Sequence, residues 1–497
     1  MWLAAIVLTA IASLLPGLWT LIGLVGVVVC ALIAIQPDVA VYLLALSVPL
    51  GSLYEVKVVG NLTLSPTEVL AGLLGLAWIA RAFAKRRFVM ALSPMFISIV
   101  AMVGVVAMSA FQATDLALTA KETLKWLELL LVYLYVIAEM GTYRQAMTLL
   151  GFLFAGAAIE GVIGLVQFVL RIGPENFAIG RFMRAYGTFD QPNPYAGYLG
   201  MLIPMAIGFL LTKPSSRARN AALAVLVLAA AGVFASLSRG AWVGIAIAIA
   251  AMMVFWSARS RLLLGVGALA MTPVGALMFM NLLPVEITDR LATAVDYFRF
   301  INVYDIRVTP ENWSVIERVA HWQAAINMIE AHPLLGVGAG NYSAVYSHYM
   351  VPGWTLSLGH AHNFYLNMAA ETGILGLLVY VTFLAVAAVH VMKWLVRSGK
   401  LTDLTHRPPS LRGKGEEFSS PRGRGIRGEV LGGEVSTRNL LWRGILVGVL
   451  GALVASSIHN MFDNLFVHGM SIQLGMLLAF AQLATAGLLG KIPDSRS

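Results

Sequence analysis

The sequence predicts an all-α polytopic membrane protein of about 12–14 transmembrane helices, with one large extracytoplasmic loop carrying short helices. Three observations predict it. Of 497 residues, 59% are hydrophobic and only 12% charged, whereas a soluble domain carries about 25% charged residues. Apolar runs of roughly 20 residues recur along nearly the whole chain, which suits spanning helices rather than a barrel. A single long polar interval, 283–370, interrupts them.

Taken in order, the apolar segments are 2–15, 17–35, 39–52, 66–83, 92–111, 122–139, 147–169, 195–211, 220–237, 241–257, 262–282, 371–394, 441–458 and 470–489. The first three are short or merged, so the count stays a range. They group into N-terminal helices over 1–170 and central helices with an outer loop over 171–282. The large loop 283–370 follows, then one helix over 371–396, an insertion over 397–438, and C-terminal helices over 439–497. The first run lacks a basic leader and runs into the next, so no cleavable signal peptide is expected. The one cysteine, Cys30, sits in an apolar run; it has no intrachain partner and reads as a core filler.

Cation distribution sets the orientation. Most of the 34 Lys and Arg residues fall on one side, including Lys85, Arg86, Arg87, Lys213, Arg217, Arg219, Arg259, Arg261 and those of 393–443. That side is expected to be cytoplasmic, with both termini on it, and the net charge of +9 records this bias. Loops near 170–194, 238–240, 283–370 and 459–469 then face outward. The 397–438 island, with Pro421-Arg-Gly-Arg-Gly-Ile-Arg-Gly428, is expected to be a disordered cytoplasmic insertion. Its repeats are few and carry no interleaved aromatics, so no nucleic-acid partner is expected; anionic headgroups account for the charge.

In the outer loop, Ser314-Val-Ile-Glu317 resembles a capping box ahead of a helix over 318–329, stopped by His332-Pro333. Gly336-Val-Gly-Ala-Gly-Asn341 is turn-rich: its glycines suit either phosphate or positive φ. A P-loop is absent.

Chemistry-bearing residues concentrate on the outward side. Arg239, in Ser236-Leu-Ser-Arg-Gly240, either snorkels to headgroups or clamps an anion through its planar guanidinium. Arg318 opposes the dipole of its helix start, so it pairs with a nearby glutamate or serves a bound anion. Arg181 and Arg184 precede the aromatic, turn-rich stretch Ala185–Gly197. His360 and His362 are candidate acid/base groups at a membrane mouth, with Asn363 beside them. His459, Asp463 and His468 form a second outer polar cluster. No spacing stands out as a metal site.

His362-Asn363, nine residues, then Gly373-x-x-Gly376 resembles the His-[Asn/Ser/Gln]-x9-Gly-x-x-[Gly/Thr/Tyr] signature of the O-antigen ligase and polymerase superfamily. Ser236–Gly244 is similar to its Ser-Arg-Gly element. Glu317-Arg318 through Trp322, followed by His332–Tyr342, is similar to the start of its large periplasmic loop. The resemblance covers roughly 180 to 380; before that the chain matches only as hydrophobic helices, and the 397–438 insertion departs from the pattern.

The resemblance implies a glycosyltransferase of the bacterial cytoplasmic (inner) membrane with an outward active site. It would take a glycan from a polyprenyl-diphosphate carrier and join it to a hydroxyl of a lipid-linked or other envelope acceptor. Arg239 and Arg318 would hold the diphosphate and His362 would deprotonate or orient the hydroxyl. Arg181, Arg184, His360 and Asn363 become possible substrate-binding residues. No cofactor or metal is implied, because the carrier already holds the activated sugar. A ligase is favoured over an O-antigen-type polymerase or a protein O-oligosaccharyltransferase. A transporter or flippase is the rival class, fitting the intramembrane Glu160 and Gln167, but no internal repeat supports it.

Overall fold

A computed structural model describes residues 17–51, 53, 56–59, 62–86, 92–179, 181–266, 303, 308–309, 313–405 and 425–488. The helices are α1 (Gly17–Ile35), α2 (Asp38–Leu50), α3 (Pro66–Lys85), α4 (Pro94–Met108), α5 (Leu116–Glu139), α6 (Tyr143–Leu170), α7 (Pro192–Leu210), α8 (Ser216–Ala235) and α9 (Arg239–Trp256). After the large loop begins come α10 (Trp313–Ala331), α11 (Tyr342–Tyr349), α12 (Phe364–Thr405), α13 (Gly425–His459) and α14 (Met470–Leu488). Two small antiparallel hairpins, β1–β2 (Val56–Val59, Leu62–Leu64) and β3–β4 (Ala178–Ile179, Phe182–Met183), are the sheet content among the described residues.

Local chemistry starts these helices where the sequence changes character. Ser65 and Glu68 form a capping box ahead of α3, and Thr142 and Gln145 form one ahead of α6. The Asp115 carboxylate accepts from Ala117 and Leu118 at the start of α5.

Eight helices among the described residues are long and apolar enough to cross a membrane, with two shorter apolar ones at Gly23–Ile35 and Asp38–Leu50. α5 and α7, expected as crossings, form continuous helices but are not among the eight. The expected segment 2–15, with the leader question, and most of 262–282 lie outside the described residues. The helix expected over 318–329 ends at Ala331, just before His332-Pro333, but starts at Trp313, ahead of the expected capping box. α12 runs on to Thr405 and α13 begins at Gly425, so both flanks of the 397–438 island are helical; 406–424 lie outside the described residues. Cys30 is exposed on α1 rather than buried in the core.

The core sits on the C-terminal helices. The spanning part of α14 is 89% buried and that of α13 72%, against 22% for α9. α13 packs on α7, α9 and α14, while α14 packs on α5. α7 and α13 cross backbone to backbone: a Cβ on Gly208 would lie 2.3 Å from the Gly444 carbonyl oxygen. Small residues permit that approach, the usual basis of helix association in lipid.

Candidate active site

The first turns of α7, α9 and α12 and the last turn of α13 meet beside α10, and polar residues of the large loop converge there. α12 begins at Phe364, and Asn363 caps it: its Oδ1 accepts from the Tyr365 and Leu366 amides at 3.0 and 3.1 Å. The turn before it is tied down twice more. The Ala361 amide donates to Asn367 Oδ1 at 3.1 Å, and the His362 amide donates to His360 Nδ1 at 3.0 Å. His362 takes φ +50° in this turn, a left-handed conformation uncommon for a non-glycine residue and concentrated at functional sites.

Further along, Gly373 breaks α12 with φ +71°. A Cβ there would lie 2.1 Å from the Leu334 carbonyl oxygen, and the Ile374 amide donates to the Pro333 carbonyl at 2.8 Å. The signature glycine is thus a seat for the His332–Leu335 segment. Gly336, Gly338 and Gly340 all have positive φ and pack on α12 and the start of α5. The positive φ expected of these glycines is thus present.

Asp463 faces the two histidines from the turn after α13. Its Oδ1 lies 3.5 Å from His360 Nε2 and 3.5 Å from His362 Nδ1, and accepts the Asn464 amide at 2.8 Å. Its Oδ2 accepts Asn193 Nδ2. Because His360 Nδ1 accepts a backbone N–H, the neutral ring carries its proton on Nε2, toward Asp463. The same carboxylate favours a proton on His362 Nδ1, which leaves Nε2 as a lone pair. Burial holds His360 down at about 4, despite the opposing pull of Asp463, and His362, His321 and Arg318 press the same way. Burial alone would raise the Asp463 carboxyl, but the imidazoles of His362 and His360 and the charge of Arg318 outweigh it and hold it well below the usual carboxylate range.

α10 supplies the roof. Tyr342 Oη donates to the His321 carbonyl at 2.9 Å, and the His321 ring stacks on Tyr346 at 5.0 Å. His321 Nδ1 donates to the Glu317 carbonyl at 2.8 Å, and its ring lies edge-on to His362 at 5.9 Å. Burial lowers the His321 pKa. Arg318 lies one turn before His321, and its charge reaches Asp463 and His360.

Arg239 opens α9 at the same mouth. Its neighbour Ser238 meets His459 Nε2 at 3.3 Å, and Gly240 packs against the His459 ring. The structure therefore brings His360, His362 and Arg318 together and sets Arg239 beside His459, one turn from Asp463. It uses Asn363 as a helix cap. Arg181 sits on the exposed β3–β4 hairpin with its guanidinium over Phe182 at 5.0 Å. Arg184 turns inward, with Nε donating to the Ser236 carbonyl and a terminal N–H to Asn193 Oδ1, both at 2.8 Å.

Asp463 was legible only as part of a His-x3-Asp cluster, and His321 and Asn193 carried no sequence signal. His468 lies apart from the pair, with Nε2 3.5 Å from Asp190 Oδ2. Glu160 and Gln167 hold the loop before α7: Glu160 accepts from the Thr188 amide and hydroxyl, and Gln167 bonds Tyr186 and Gly187. A cavity of about 200 Å³ flanks His360, lined by Glu122, Lys125, Trp126, Asn367 and Phe466 among others.

His360, His362 and Asp463 each offer an atom to a common point, all within 4.8 Å of one another. The spacing of the histidines did not foretell this, and the donor set suits a divalent metal. Against it stands the charge of Arg318 on the same carboxylate, together with the backbone N–H already on Oδ1.

Residues 224–381 match the family described as O-antigen ligase. The match opens within α8 and closes within α12, so it takes in Arg239, Arg318, His321, His360 and His362 and leaves out Arg184, Asn193 and Asp463. No curated protein matches the chain.

Proposed function

We propose that this protein, whose residues 224–381 match the family described as O-antigen ligase, moves a glycan from a polyprenyl-diphosphate carrier to an acceptor hydroxyl on the outer face of the cytoplasmic membrane. The observation that carries the reading is the placement of His362 Nδ1 3.5 Å from Asp463, with the charge of Arg318 on the same carboxylate.

In this reaction the acceptor oxygen attacks the anomeric carbon, and its proton passes to His362 Nε2. The bond from the anomeric carbon to the diphosphate oxygen breaks, and the diphosphate leaves with the electron pair. Its growing charge falls to Arg239 and Arg318, since guanidinium groups fixed in a water-poor site stabilise it without reorganising. Asp463 stays ionised, holds the His362 ring and stabilises the imidazolium. A lipid-linked core is the favoured acceptor, ahead of a growing polymer or a protein. The buried Glu160 and Gln167, which fitted a transport path, spend their hydrogen bonds on loop structure.

Purified protein in nanodiscs, given a polyprenyl-diphosphate-linked oligosaccharide and in turn a lipid-linked core, a repeat unit and a serine-rich peptide, tests the reading. Transfer to one acceptor, unchanged by EDTA, is expected. Transfer to none, or transfer abolished by EDTA and restored by zinc, overturns the proposal in its metal-free form.

A further inference from the structure

Arg184 and Asn193 lie outside the family match, yet they sit where the parts of the site join. Asn193 occupies the first turn of α7, between Pro192 and Pro194. Proline at a helix start fixes φ without losing a needed donor, so this amide is presented from a stiff backbone. Its Nδ2 donates to Asp463 Oδ2, the oxygen turned away from the histidines. Its Oδ1 accepts from Arg184, whose Nε donates to the Ser236 carbonyl. Ser236 belongs to the turn that ends in Arg239, and the Ala185 amide donates to the Ala235 carbonyl at 3.0 Å. One chain of hydrogen bonds therefore runs from the arginine-bearing turn through Arg184 and Asn193 to the carboxylate beside His362.

We propose that Arg184 and Asn193 are positioning residues, which together lock Asp463, and through it the His362 ring, in register with the Arg239 turn. The inference rests on the reading of His362 as the base. An amide suits the middle of such a chain because it accepts from the guanidinium and donates to the carboxylate at once. A hydrophobe there breaks both links, and Arg184→Lys keeps the charge but loses the two-point fork.

The test uses full-length protein in nanodiscs and diethyl pyrocarbonate, an acylating probe of unprotonated imidazole, with each histidine read by peptide mass spectrometry. Exposed His348 is the internal reference. Asn193→Leu is expected to lower the His362 rate relative to His348 at least about threefold, toward the value set by Asp463→Asn. Arg184→Lys should do so partially, and Asn193→Gln should recover part of the loss. Where transfer is measurable, kcat should fall about 10- to 100-fold with donor KM within twofold, the scale of a small misplacement of a reacting group.

Wild-type His362 reactivity in Asn193→Leu and Arg184→Lys, alongside a reduced rate in Asp463→Asn, would overturn the relay while leaving the dyad intact. An unchanged rate in Asp463→Asn as well would overturn both the relay and the His362–Asp463 unit beneath it. Should Asn193→Leu fail to fold, Arg184→Lys and Asn193→Gln carry the same comparison.

Discussion

At the scale of single residues, two imidazoles face one carboxylate oxygen but differ in their other contacts. His362 presents a free Nε2, whereas both nitrogens of His360 are committed, one to a backbone amide and one toward Asp463. General base help is worth about 10²–10⁴-fold, so His362→Ala should lose transfer on that order while still binding the donor. His360→Ala should lose less, through the loosened turn. Kinetics of the two variants side by side decide it, and equal losses would reassign the base.

Arg239→Lys should lose much of the activity and Arg239→Ala nearly all, because charge alone does not replace a bidentate fork; equal activity in all three forms would leave Arg239 a headgroup anchor. The pH dependence of stability has a defined sign. An unfolded imidazole titrates near ~6.5, and folded His360 at about 4. Between those values only the unfolded chain takes the proton, so the His360 contribution is complete above ~6.5 and is lost as pH falls toward 4. Thermal unfolding in detergent should show that loss, and His360→Gln should flatten it. Of these assignments, His362 was legible because a signature names it. Asp463 was not, since a carboxylate about a hundred positions away becomes its partner only through packing.

At the scale of elements, the signature proves partly architectural. Asn363 caps α12 and Gly373 receives the Leu334 carbonyl, so a pattern legible as a string is explained only once two segments touch. Gly373→Ala would force an L-residue to φ +71° and drive a methyl into backbone. The left-handed conformation alone costs about 1–2 kcal/mol, and the clash adds to it. The expected outcome is a clearly lowered melting temperature and little folded protein on gel filtration. The stop of α10 was legible in His332-Pro333, whereas the capping boxes at Ser65 and Thr142 emerged only with the structure. The start of α10 was misplaced because Ser314 has the composition of a cap while Trp313 already lies in the helix.

At the scale of the whole molecule, the polytopic all-α class was readable from hydropathy alone. Which helices form the centre was not: α13 and α14 are no more apolar than α4 or α12, and only their burial sets them apart. On the proposed topology, a cysteine placed at Ser347 should react with an impermeant maleimide from outside and one placed at Ser420 should not; the reverse labelling inverts the orientation and puts His362 on the wrong face.

The low burial of α9 has a further consequence. This helix starts at the site with Arg239 and turns Trp242, Val243 and Ile247 outward. On the proposed reaction, a polyprenyl tail can lie along that flank and remain in the bilayer while its head group is processed. Such an enzyme is moored beside its cargo, and its substrate arrives by two-dimensional diffusion. The quantity that saturates it is then the carrier's mole fraction among the surrounding lipids. Diluting the membrane with inert phospholipid should slow transfer, whereas diluting the same vesicles with buffer should leave the rate per enzyme unchanged.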